Sequence, residues 1–171
     1  MSPLVGNILT PSGFVHGAMA FTPEGRIHSI QGKAISEDAA RASGQPLVLP
    51  GFIDLHVHGA GGRDIMEGGD AAVRVSQVHA RHGTTSMLAT TMTAPMEDLV
   101  SAMQSLTTIC QQRAPGGARV LGVHLEGPYI NDDKLGAQPA FARPVQIDEL
   151  SHLNQLAPIR LITMAPEVPG N

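Results

Sequence analysis

The 171 residues carry 11 basic and 15 acidic side chains, a net charge of −4 with no basic run, which argues against a nucleic-acid partner. Hydrophobic residues make up 42% of the chain with no Trp and one Tyr, so a core must be built from aliphatic and Met side chains. The single cysteine, Cys110, excludes an internal disulfide, and no window approaches the ~18 apolar residues of a membrane span, so a cytoplasmic chain with no membrane partner and a buried thiol is expected.

Up to residue 49, short apolar segments alternate with Gly and Pro. Residues 4–9, 17–21 and 26–31 read as antiparallel strands, with a turn at Thr22-Pro23-Glu24-Gly25. Near Pro50 the pattern changes to strand, helix, strand, helix. Residues 52–57 read as a strand, and 70–82 as a helix opened by Asp70 and closed by Gly83. Residues 84–91 read as a second strand. The clearest helix is 95–112, where Met96, Leu99, Val100, Met103, Leu106 and Cys110 recur at steps of three and four on one face. A strand at 120–125, a helix at 147–156 and a strand at 159–164 follow. Strands alternating with helices of this length imply a parallel sheet, either doubly wound or closed as a barrel. Two domains are expected, 1–49 and 50–171. The glycines at 59, 61 and 62 do not form a dinucleotide loop, because Asp64 stands where the third glycine belongs and no Walker lysine follows.

His56 and His58 lie two apart at the end of the first parallel strand, so their side chains share a face. Two imidazoles at that end can hold one ion, but the spacing equally fits a hydrogen-bonded pair in a polar turn. Glu126 closes the third strand in His124-Leu125-Glu126-Gly127-Pro128 and is expected at the same rim. A carboxylate facing imidazoles suits zinc or a similar divalent cation; the bland alternative is a Glu paired with a nearby Arg or Lys. His124, one pair deeper, reads as a supporting or core residue and not as a ligand.

Four segments resemble one family. Pro50-Gly51-Phe52-Ile53-Asp54-Leu55-His56-Val57-His58-Gly59 looks like the opening of an amidohydrolase-superfamily barrel, and Gly83-Thr84-Thr85-Ser86 like its second strand. Gly122-Val123-His124-Leu125-Glu126-Gly127-Pro128-Tyr129 and Met164-Ala165-Pro166-Glu167 resemble the third and fourth strand endings of N-acetylglucosamine-6-phosphate deacetylases. The resemblance implies an α/β fold: the first half of a TIM-like (β/α)8 barrel, truncated, preceded by part of a small β-sandwich domain. It implies hydrolysis of the acetamide of N-acetylglucosamine 6-phosphate, with an amino-sugar phosphate as the small-molecule partner and a homodimeric full-length enzyme. Glu126 then binds the metal, and His56 and His58 serve a second ion, so one or two zinc-like ions are expected. Ala137 and Gln138 fall where the family contacts its substrate; many members have His in place of Gln138, and an amide there donates a hydrogen bond without charge.

The resemblance also implies that two further metal-binding histidines and the aspartate acting as general acid and base lie beyond Asn171. A full barrel needs ~250 residues and eight strands, and four parallel strands are expected here. The alternatives are another amidohydrolase of the dihydroorotase, hydantoinase or D-aminoacylase kind, or a non-catalytic metal-binding fragment. The former typically place a carboxylated lysine where Glu126 would act.

Overall fold

A computed structural model describes residues 2–171, which divide into two compact units, one ending at Pro50 and one running Gly51–Asn171. In the first unit, β1 (Leu4–Thr10), β2 (Gly13–Phe21) and β3 (Ile27–Ile35) form an antiparallel meander. β1 and β2 extend the predicted spans, and β3 starts one residue later than predicted and runs four residues further. The β2–β3 connection is the expected turn, closed by the Gly25 N–H donating to the Thr22 carbonyl at 2.9 Å. Gly17 and Gly32 face each other across β2 and β3, where a Cβ on either would meet the partner backbone at 2.0–2.2 Å.

Two elements here had no clear sequence signal. Helix α1 (Glu37–Ala42) is only six residues, capped by Ser36, whose hydroxyl accepts the Ala39 N–H. Strand β4 (Leu47–Val48) is two residues and runs parallel to β1, giving the order β3-β2-β1-β4. Both are shorter than the windows over which periodicity can be read. Asn7, fully buried on β1, holds α1 against the sheet by donating to the Ala40 carbonyl and to Ser43 Oγ at 2.9 and 2.7 Å.

The second unit begins with β5 (Phe52–Val57). A small hairpin of β6 (Gly59–Ala60) and β7 (Arg63–Asp64) follows. Gly61 and Gly62 both take positive φ, 60° and 76°, as a two-residue type I′ connection requires, so the glycine run serves a turn. Helix α2 (Ala71–Arg81) leads to β8 (Thr84–Thr90), α3 (Met96–Gln111) to β9 (Arg119–Glu126), and α4 (Ile147–Leu156) to β10 (Ile159–Thr163). Asp70 precedes α2 as predicted, but its carboxylate makes no cap bond and pairs instead with Arg63 at 3.1 Å.

The four long strands form one sheet in the order β10-β9-β8-β5, every pair parallel. One face of it packs against the helices: Val57, Met87, Ala89, Val120, Val123 and Leu125 meet Val75, Leu99, Met103, Leu106 and Leu153. In α3 the buried stripe includes Ala102 and Ile109, while Met96, Val100 and Cys110 lie on its half-buried flanks. Burial pushes the Cys110 thiol up to about 11. The other face is open, with Leu55, Leu88, Leu121 and Leu161 lining a cavity rimmed by Arg119 and Arg160.

Candidate metal centre

Each pairing of this four-stranded sheet contains a register slip, and the β5–β8 pairing contains two, between Phe52 and Ile53 and between Asp54 and Val57. In β5, Asp54 pairs with Met87 but Val57 pairs with Ala89, so three steps on one strand match two on the other. A one-residue slip exchanges the faces of every later side chain. Before the slip, the Asp54 carboxylate points to His79 of α2 at 4.0 Å, while Ile53 and Leu55 are 64% and 52% exposed. After it, Val57 is 3% exposed in the helix-covered core, and His56 and His58 turn toward Glu126. The expected shared face of the two imidazoles is present; which face it is depends on the slip.

Glu126 is the last residue of β9, and the strand stops there for steric reasons. Gly127 has φ of 76°, and a Cβ on it would lie 2.0 Å from Thr93 Oγ1. Pro128 removes the next N–H. The following loop is anchored by Arg143, which pairs with Glu149 and donates from its backbone to the Pro128 carbonyl at 2.9 Å.

One ligand atom from each of His56, His58 and Glu126 lies within 4.8 Å of the others, and among the described residues no other group of three or more His, Cys, Asp or Glu is so arranged. His58 Nε2 is 2.8 Å from Glu126 Oε2 and His56 Nε2 is 3.8 Å from it. At 2.8 Å the His58–Glu126 contact is short enough for a hydrogen bond, yet Oε2 accepts none and is buried, as is His58 Nδ1. The proximity satisfies the ion-pair distance but not hydrogen-bond alignment. Two electron-rich atoms held this close without an aligned proton form the arrangement a cation resolves.

His124 is 4% exposed behind this cluster. Its Nδ1 is 3.3 Å from His56 Nδ1, and its Nε2 is 2.7 Å from Thr163 Oγ1 on β10. Burial, aided by the neighbouring His56, holds this imidazole below the usual histidine range, so it supports the site as a neutral ring.

Ala137 and Gln138 do not join the three. Ala137 is exposed on the loop after a short 3-10 turn at Asp132–Lys134. Gln138 is tied to the end of β8: its Oε1 accepts the Thr93 N–H at 2.8 Å, and its Nε2 lies 3.7 Å from Met92 Sδ. The amide thus sits beside Thr93, the residue that packs on Gly127 next to Glu126. Sequence reasoning did not single out Thr90 or Thr163 as site residues. Threonine is an ordinary strand residue, so nothing in the local pattern distinguishes them.

Comparison with known proteins adds an independent line. The model of the amidohydrolase family matches residues 47–156. An N-acetylgalactosamine-6-phosphate deacetylase of Escherichia coli O157:H7 is 34% identical over 167 residues, covering 95% of this chain and 43% of the relative. The crystal structure of N-acetylglucosamine-6-phosphate deacetylase from Thermotoga maritima superposes with a TM-score of 0.80 at 28% identity, over 98% of this chain and 43% of that one. A Mycobacterium smegmatis deacetylase mutant, solved in complex with N-acetyl-D-glucosamine-6-phosphate, gives 0.77 at 25% identity, over 99% and 45%. The chain spans less than half the length of each. Its four parallel strands are accordingly the first half of a (β/α)8 barrel.

Proposed function

The chain belongs to the amidohydrolase family, and from that premise we propose that it supplies the metal-binding N-terminal half of a cytoplasmic deacetylase, acting on N-acetylglucosamine 6-phosphate to give glucosamine 6-phosphate and acetate. The partial domain of residues 1–49 precedes the barrel half, and the whole enzyme is a homodimer. The observation that carries the reading is the buried Glu126 Oε2, 2.8 Å from His58 Nε2 without a hydrogen bond. A mixed oxygen and nitrogen donor set of this kind suits zinc.

Glu126, His58 and His56 would hold the ion. Once bound, a divalent cation lowers the pKa of coordinated water and polarises a carbonyl oxygen. Glu126 fixes the position of the charge, and its place at the C-terminal end of β9 puts that charge at the barrel rim where loops meet substrate. Gln138, with its carbonyl committed to the Thr93 N–H and its amino group 3.7 Å from Met92 Sδ, keeps a second N–H as a neutral donor for a sugar or acetamide oxygen. Ala137 stands beside it on the same loop. The proton relay to the leaving amine is assigned to an aspartate outside these residues.

The full-length enzyme, zinc-loaded, is expected to release free amine from N-acetylglucosamine 6-phosphate and to lose that activity on chelation. Absence of turnover in the metal-loaded enzyme would reject the assignment. The 34% identical relative that acts on the galactosamine epimer favours a second reading at the level of substrate. Assaying both 6-phosphates side by side, and comparing kcat/KM, separates the two.

A further inference from the structure

The register slip that aims the two histidines is held by side chains. Where β5 departs from regular pairing between Asp54 and Val57, its N–H groups need other acceptors. The His56 N–H donates to Asp54 Oδ1 at 3.1 Å, and the Val57 N–H donates to Thr90 Oγ1 at 2.8 Å. Thr90 is fully buried at the end of β8 and also lies 3.5 Å from His124 Nδ1. His79 Nδ1 of α2 stands 4.0 Å from the other carboxylate oxygen of Asp54. Neither Asp54 nor Thr90 belongs to the cluster of three.

We propose that Asp54 and Thr90 are positioning residues, whose two hydrogen bonds lock the slip in β5 and so turn His56 and His58 together toward Glu126. The physical argument is one of parity. If either bond is removed, β5 gains by continuing the Asp54–Met87 register past Asp54 without the second slip, and that continuation carries both imidazoles to the opposite face. The loss is therefore joint: the two rings leave as a pair, because the strand rotates and not an individual side chain. The hydroxyl of Thr90 sets the position of the Val57 amide, and the carboxylate of Asp54 sets that of the His56 amide. The value of the arrangement for metal binding rests on the metal-centre reading above.

The test uses the full chain and two readouts. Thr90→Val keeps the shape of Thr90 and removes the acceptor; Thr90→Ser restores it. Asp54→Ala removes the second acceptor at a partly exposed position where folding is little affected, and Asp54→Asn keeps an acceptor oxygen. In the metal-free protein, hydrogen exchange of the Val57 amide is expected to quicken up to about tenfold in Thr90→Val, with Thr90→Ser close to the parent. Zinc affinity, measured by chelator competition, is expected to fall about 10- to 100-fold in Thr90→Val and in Asp54→Ala. The absorption of bound cobalt should change toward a site with fewer imidazole ligands in the same two variants. Unchanged exchange in Thr90→Val, or unchanged affinity in both Thr90→Val and Asp54→Ala, overturns the proposal. If Thr90→Val fails to fold, Asp54→Ala against Asp54→Asn decides it alone, full rescue by Asn being the expected result and equal loss the overturning one. A parent chain that binds no zinc would reject the metal-centre reading instead, while the exchange measurement would still decide whether the slip is held as described.

Discussion

Glu126 and His58 are brought within 2.8 Å by strands that end at one rim, although 68 residues separate them in the chain. Glu126 is the hub of the cluster, since both imidazole contacts run to its Oε2. Glu126→Ala should therefore remove most bound metal, and His56→Ala should remove less, because His56 Nε2 stands a full ångström farther from the shared oxygen. Metal content by elemental analysis checks the ranking, and equal losses would contradict it. The three clustered residues and their strand-end placement were readable from H-x-H and from Glu126 before Gly127-Pro128. The supporting hydroxyls of Thr90 and Thr163 were not, because a threonine in a strand carries no mark of the residue it will meet on a neighbouring strand. Gln138 was placed correctly on its loop, yet its bond to the Thr93 N–H depends on a contact 45 residues away.

At the scale of elements, the long helices and strands of the second unit lie within two residues of their predicted bounds: in the helices an apolar period sustained over ten or more residues has one solution, and the strands fall between them as apolar runs bounded by turn residues. The short pieces escaped for the opposite reason: α1 and β4 are created by tertiary hydrogen bonds from Asn7 and pairing to β1, not by local preference. Helix α3 tests how much of the unit depends on one stripe. Leu106 is completely buried, and α3 is bonded to the neighbouring helix by Thr107 Oγ1 donating to the Leu156 carbonyl at 2.7 Å. Leu106→Ala should cost about 2–5 kcal/mol of stability, whereas Val100→Ala, on the half-buried flank, should cost less. Urea unfolding followed by circular dichroism measures both, with an unchanged slope showing that the comparison is one of stability alone.

For the whole molecule, the asymmetry of the second unit matters most. Helices cover one face of its sheet, while Ile53, Leu55 and Leu161 on β5 and β10 are exposed. Parallel sheets are ordinarily covered on both faces. These 171 residues by themselves should bind a dye for exposed apolar surface and give no turnover of N-acetylglucosamine 6-phosphate with added zinc. General acid-base help alone is typically worth ~100- to 10,000-fold, and among the described residues no carboxylate besides Glu126 joins the cluster. Release of free amine at an ordinary enzymatic rate would show that these residues assemble a complete site.

The strand order has a consequence for how such a chain is made. In the sheet, β5, β8, β9 and β10 stand side by side in the order in which they are translated. Each strand emerging from the ribosome finds the free edge of its predecessor already in place, so the sheet can grow one βα unit at a time from the N-terminus. Every new pairing closes only the connection to the strand just before it, which keeps the entropic cost of each step small. The rim that gathers His56, His58 and Glu126 is then complete as soon as β9 has docked and does not wait for β10 to pair.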